Sequence, residues 1–489
     1  MSELYGIEAR VLKADAQTPV ESKTVVVFVG TPYCSAAHYG VPQHISSYEE
    51  YLETFHGGVE PDVMLSLDLA AEYALKNIKE AWFVNGSDDG GQDTEMDAGI
   101  IEDILKDALA YICLNSGDVP NIICLPCQQD SDLLATLVSE CKGGINNLFY
   151  AQGFVDCAMA GDQLNAYNKP VSANIEVPST DGCLVASWGD VVLARDANGE
   201  PTKYIPGSIV MATQRAMQDA NNTGNVPYRS IGNIRLDCKG LCIDYNQMHN
   251  VTSTVTLEAN GAVKVVMNAS GYTDYSGLAE LHAKLTTDSD PIIVNEIISM
   301  SNGTGTTARG WSTATGISDS PAPVVGVTVH IVKDVVCQQE KMNELAEDGI
   351  ISLVNKGNNR WYTWGDHTAA VSNGAVDDET YRFDSTVAVL YSVLNRFILK
   401  WGEIIDSPMS LRIRDCIVNE EQDHLNSLKA MGCVVGDPKC EFRAIDNNTD
   451  TLGKGQFYFL NLLTCVPPAK YVRLNVQYTD AGLAAYINE

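Results

Sequence analysis

Residues 24–154 alternate wholly apolar runs with amphipathic ones, and this restricts the fold more than any other feature of the chain. The run TVVVFVG (24–30) is apolar at nearly every position and is stopped by Thr31-Pro32. That is the pattern of a strand buried on both faces. In SYEEYLETFHGG, Tyr48, Tyr51, Leu52 and Phe55 recur at helical spacing, Ser47 and Glu50 make a capping box, and Gly57 supplies the stop. The same reading predicts a helix over 62–78, a strand at 81–84, a helix over 100–113 and a strand at 121–125. A helix over 131–141 and a strand at 147–154 follow. Such alternation specifies an α/β layer on a largely parallel sheet.

Beyond it, VVLARD and PTKYIP face each other across Asn198-Gly199, a hairpin turn pair, and a polar-faced helix is expected over 208–220. Between 251 and 332 short Thr/Val-rich runs flank ISMSNGTGTTARGWSTATG, the composition of a small β-rich insertion. The α/β pattern then returns, with a helix over 338–347, a hairpin-like ISLVNKGNNRWYTWG, and helices over 385–401 and 410–431. Strands are expected in CEFRAI, GQFYFLNLLTC and YVRLNVQY. FYFLNLLTC, apolar on both faces, reads as a central strand.

The two chain ends read differently from the body. Ile7, Ala9 and Val11 alternate with Glu8 and Arg10. Val472, Leu474, Val476 and Tyr478 alternate with Arg473, Asn475, Gln477 and Thr479, the period of a half-buried strand. Pro467 and Pro468 separate this strand from the preceding ladder, because proline donates no N–H. It is an edge strand of its own sheet or pairs outside the subunit. These seven apolar residues are the candidate subunit-interaction residues. The expected fold class is thus α/β (α+β) and multi-domain: an extended arm (1–22), an α/β part (23–244), a β-rich inserted domain (245–332), a second α/β part (333–469) and a C-terminal β-strand arm (470–489).

Composition narrows the function. Lys+Arg 32 against Asp+Glu 63 gives a net charge of −31, which repels nucleic acid and anionic membranes, so neither is an expected partner. No run approaches the roughly 18 apolar residues of a membrane span. The N-terminus has neither the basic nor the apolar part of a secretion signal. The 14 cysteines are scattered through apolar runs, which reads as buried, reduced thiols in a reducing cytoplasm.

Motifs that carry chemistry are scarce. Cys124-Leu-Pro-Cys127 lies between a strand and a helix, as a redox pair would, but the helix starts several residues late and its dipole misses the thiol. Cys238 and Cys242 offer a second pair for zinc without nearby histidines. SDDGGQD and DNNTDTLGKG lack the calcium-loop frame. There is no G-x-G-x-x-G, no Walker loop and no nucleophile elbow. His367 sits beside Asp366 with no nucleophile placed near it. We expect no catalytic, cofactor-binding or metal-binding residues and no enzymatic activity. The alternative is a cytosolic α/β enzyme using Cys124 and Cys127 for thiol redox chemistry.

The order of several segments resembles the contractile tail sheath proteins of bacteriophages and related injection systems. TVVVFVGT followed by PQHISSYEEYLETFHGG is similar to that family's opening strand and helix, and NIICLPC to its strand-and-proline segment. VASWGDVVLARDANGEPTKYIPGS resembles its aligned strand, Ala-Arg-x-Asp turn and proline. Met342-Asn343-Glu344-Leu345, Gly349-Ile350 and WYTWGDHT resemble its Leu-Asn, Gly-Ile, Trp-Gly block, and VPPAKYVRLNVQY its close. Two features depart: Tyr5-Gly6-Ile7 stands where the family has proline-glycine, and Arg382 with Asp384 where it has paired arginines. The resemblance implies a sheath core with an outward-facing insertion at 245–332. It implies a structural subunit that polymerises as stacked hexameric helical rings around a tail tube, then contracts to drive the tube through a target envelope for genome delivery. The partners implied are further copies of the chain, the tail tube, and baseplate and tail terminator proteins. The arms would add strands to neighbouring subunits, and the location implied is a virion assembled in the bacterial host cytoplasm. A different virion structural protein, such as a baseplate component, is the remaining alternative.

Overall fold

The computed structural model describes residues 24–479, except 62–63, 89–97, 128–129, 160–162, 198 and 223–225. Between 245 and 331 it describes only the strands Ser253–Leu257, Val263–Met267, Asp274–Tyr275 and Val327–Val329. Ile7, Ala9 and Val11 therefore lie outside the described residues.

The apolar runs assemble into one nine-stranded sheet. Its order is Arg235–Leu236, Trp361–Trp364, Ile350–Asn355, Leu184–Ser187, Gln152–Asp156, Pro120–Leu125, Val25–Gly30, Ala81–Asn85, Gln43–Ile45. The six strands from Ile350–Asn355 to Ala81–Asn85 are parallel, and antiparallel pairing is confined to the edges. The expected α/β architecture is thus observed, with strands drawn from both sides of the 245–331 interval. Ala81–Asn85, Gln152–Asp156 and Leu184–Ser187 are buried at every position. Helices Ser66–Asn77 and Gly207–Asn221 pack on each other and on the central strands, as do Ala98–Ser116 and Ser131–Cys141. The chain passes from Val25–Gly30 to one neighbour and then back to the other, so right-handed crossovers put these two helix pairs on opposite faces.

The first helix, Tyr48–His56, starts and stops as its sequence specifies. Ser47 Oγ accepts the Glu50 amide at 3.1 Å, and the Glu50 carboxylate accepts the Ser46 amide at 2.8 Å. Gly57 takes the left-handed conformation at φ 62°.

Three expectations need correction. The helix Gly207–Asn221 is not polar-faced towards solvent: Gly207 to Ala216 are all buried. Its polar side chains are satisfied inside. Ser208 donates to Asp156 from both its amide (2.8 Å) and its hydroxyl (2.5 Å), and Thr213 donates back to the Ile209 carbonyl at 2.8 Å. The single strand expected at 147–154 is two. Phe149–Tyr150 pairs with Lys142–Ile145 around Asn146 and Asn147, both at positive φ, and Gln152–Asp156 enters the main sheet. Finally, FYFLNLLTC is no central strand. Only Leu460–Cys465 is a strand, half-exposed, in a two-stranded ribbon with Val434–Glu441. One side of that ribbon packs on helix Leu411–Ala430, burying Leu425, Leu428, Val434 and Cys440, and no second sheet layer covers the other among the described residues. CEFRAI accordingly contributes only its first two residues to a strand.

A four-stranded antiparallel sheet, in the order Pro201–Pro206, Asp190–Arg195, Gly240–Asp244, Val332–Asp334, joins the two chain halves. Arg195 clamps it with a two-pronged ion pair to Asp334, at 2.6 and 2.8 Å. The four strand segments between 253 and 329 form a separate antiparallel sheet.

Candidate interaction site

The C-terminal segment leaves the body at a defined place. The Val466 amide donates to the Cys433 carbonyl at 3.1 Å, which ties it to the end of the ribbon. Pro467 and Pro468 follow and prevent the ladder from continuing. Lys470 then forms an ion pair with Asp366 and lies over the Phe383 ring, 5.6 Å from its centre. The Asp366 side chain is only 7% exposed. Its Oδ2 accepts the Ser230 hydroxyl at 3.1 Å, and its backbone carbonyl accepts the Asp384 amide at 3.0 Å.

Past Lys470 the contacts stop being those of a core. Val472, Leu474, Val476 and Tyr478 are 86%, 83%, 84% and 83% exposed, and residues 471–479 have no strand pairing among the described residues. The expected strand is therefore not part of any sheet formed by the described residues. Burying a side chain of this kind contributes about 1.5–3 kcal/mol, so four alternating apolar groups left in water are a large unclaimed driving force. The ribbon carries exposed apolar groups as well, at Val435 and Leu462, and Tyr458 just before it is exposed too. The sequence marked the alternation and the proline elbow. It carried no signal for Asp366, Ser230 and Phe383, which lie far from Lys470 along the chain.

The residues weighed for chemistry are held structurally. Cys124 is buried, and burial next to Asp156 pushes its thiol well above the usual range, the reverse of an activated redox cysteine. The Cys127 amide donates to Asp156 at 3.1 Å. Burial also raises the Cys238 thiol, to about 12. The described residues hold no group of three or more His, Cys, Asp or Glu arranged for a metal ion. His367 has Nδ1 2.8 Å from the Ala346 carbonyl and its ring against Phe383, and burial lowers its pKa. Asp366 turns to Lys470 and Ser230 instead. In DNNTDTLGKG, Asn448 caps the short helix Thr449–Gly453 and Asp446 pairs with Arg443. SDDGGQD runs mostly outside the described residues. No described helix is long and apolar enough to cross a membrane.

No family model matches this sequence, and no curated protein matches it. Solved structures do match, over nearly all of the chain. The sheath complex of the extracellular contractile injection system PVC, in its contracted state, superposes with a TM-score of 0.57 at 11% identity, covering 99% of each chain. A chain of the anti-feeding prophage baseplate, 6-fold symmetrised, gives 0.54 at 12% identity, covering 98% of this chain and 100% of that one. The contracted helical sheath of the anti-feeding prophage gives 0.54 at 13%, covering 97% and 100%. At these identities the likeness is one of fold, and it extends from end to end. The chain has the fold of contractile injection-system sheath proteins.

Proposed function

We propose that the chain is a structural subunit of a contractile sheath, and that it polymerises as stacked six-membered helical rings around a tail tube. The observation that carries this reading is the pairing of a sheath fold over nearly the whole chain with an arm whose four alternating apolar side chains are exposed and unpaired among the described residues. Head-to-tail contacts that do not close generate open helical assemblies. The eight residues 471–478, at about 3.3 Å each, reach roughly 26 Å. That suffices to add a strand to a neighbour's sheet, and the two-stranded ribbon is the acceptor this reading favours. Each ladder hydrogen bond contributes only about 1 kcal/mol net, so the apolar face supplies most of the hold. A joint of this kind lets subunits turn as rigid bodies while remaining linked. The extended sheath is then a kinetically trapped state, and contraction its release. In this reading the partners are the tube, the baseplate and the tail terminator. Assembly takes place in the bacterial host cytoplasm, and contraction drives the tube through a target envelope, with genome delivery where the particle is a bacteriophage.

The likeness to a baseplate chain favours a second reading, a subunit confined to the baseplate, which would form single rings and no cylinders. The thiol-redox alternative is disfavoured by the burial of Cys124. Deleting residues 471–489 tests the proposal. The truncated subunit should stay folded and soluble but build no tubes in negative-stain micrographs, and tubes built by it would overturn the arm's role.

A further inference from the structure

We propose that Lys470 and Asp366 form a clasp that fixes where the C-terminal arm leaves the body and so aims residues 471–479. After Val466 the chain turns away from the ribbon through two prolines. Four residues further on, Lys470 engages the carboxylate of Asp366, two residues past strand Trp361–Trp364 of the main sheet. The receiving site is built before the lysine arrives. Asp366 is nearly buried, Ser230 holds one of its oxygens, and the Phe383 ring lies beneath the ammonium. Asp366 follows strand Trp361–Trp364 of the main sheet by two residues, so the clasp refers the arm's origin to that sheet rather than to the ribbon. Lys470 is 41% exposed, so one side of it stays open to solvent and the clasp can release without unfolding the body. Pre-organising the root removes part of the ordering cost that a free tail would meet on pairing with a neighbour. That consequence rests on the sheath reading, whereas the clasp itself is a property of the isolated subunit.

Trypsin reads it directly. The bonds after Lys470 and after Arg473 are three residues apart in one exposed segment, but only Lys470 is clasped. Brief digestion of the full-length monomer should release 474–489 about ten times faster than 471–489, the ratio given by roughly 1.4 kcal/mol of retention. In Asp366→Asn the two rates should converge. Equal rates in the unsubstituted protein, or an unchanged ratio in Asp366→Asn, overturn the clasp. Should Asp366→Asn fail to fold, ionic strength decides on the unsubstituted chain. The ratio should fall towards one as salt is raised, and a ratio independent of salt refutes the proposal. None of these readouts requires polymerisation, so failure of the clasp and failure of the sheath reading are separately visible.

Discussion

Asn395 and Tyr150 hold each other by both hydrogen-bonding ends. The Tyr150 amide donates to Asn395 Oδ1 at 2.9 Å, and Asn395 Nδ2 donates to the Tyr150 carbonyl at 2.7 Å. The side-chain amide stands where a neighbouring strand's peptide would, and it closes the edge of Phe149–Tyr150 against helix Asp384–Trp401. The Tyr150 and Tyr391 rings meet beside it, 5.3 Å apart. This joint keys helix Asp384–Trp401 to the segment that leads into the main sheet, where Gln152 Nε2 donates to the Asp384 carbonyl at 2.9 Å.

Replacing Asn395 with alanine strands both backbone groups of Tyr150 in a largely buried place. The expected loss is about 1–3 kcal/mol, seen as a lower urea midpoint. An unmoved midpoint would show that water replaces the amide at no cost.

Arg215 is buried beside Asp384, with which it pairs. Its Nη1 donates to the Arg229 carbonyl at 2.6 Å, and Asp219 lies 3.7 Å away. Arg215→Met leaves two carboxylates buried without their cation. Breaking a buried pair in this way costs about 3–5 kcal/mol, so the variant should be recovered mainly as aggregate. A soluble Arg215→Met protein with unchanged thermal stability would contradict this account.

His424 makes stability depend on acid. Burial, assisted by the Arg396 charge, lowers its pKa to about 4 in the folded chain, against about 6.5 when unfolded. Between those values the unfolded chain binds the additional proton, so this contribution is complete above pH 6.5 and is lost as the pH falls towards 4. Unfolding midpoints of His424→Phe should decline less than those of the unsubstituted chain over that range. Parallel declines would remove His424 from the argument.

Self-assembly should respond to salt. Subunits of net charge −31 repel one another at close range, and the screening length is about 8 Å at physiological ionic strength. Sedimentation should show larger species as salt is raised or divalent cations are added. A distribution independent of ionic strength would mean that the contacting faces carry little of the charge.

Local signals were legible wherever backbone and burial demanded the same residues. Helix Ser131–Cys141 has the bounds its periodicity predicts, and the Ser47 cap and Gly57 stop act as expected. The errors share one cause. Ser208, Thr213 and Arg215 read as a solvent face, yet each finds its partner inside. FYFLNLLTC reads as a core strand, yet only one strand pairs with it among the described residues.

The amino-acid sequence by itself determined the parallel α/β core and the alternating arm behind Pro467-Pro468. Both follow from the spacing of apolar residues and from proline's missing donor, which are local properties. Only the tertiary structure decided that the arm pairs with no strand among the described residues, and that Lys470 meets Phe383 and the Ser230-held Asp366 where it leaves. Those contacts join segments far apart along the chain, and no pattern in the sequence encodes a meeting that tertiary packing creates.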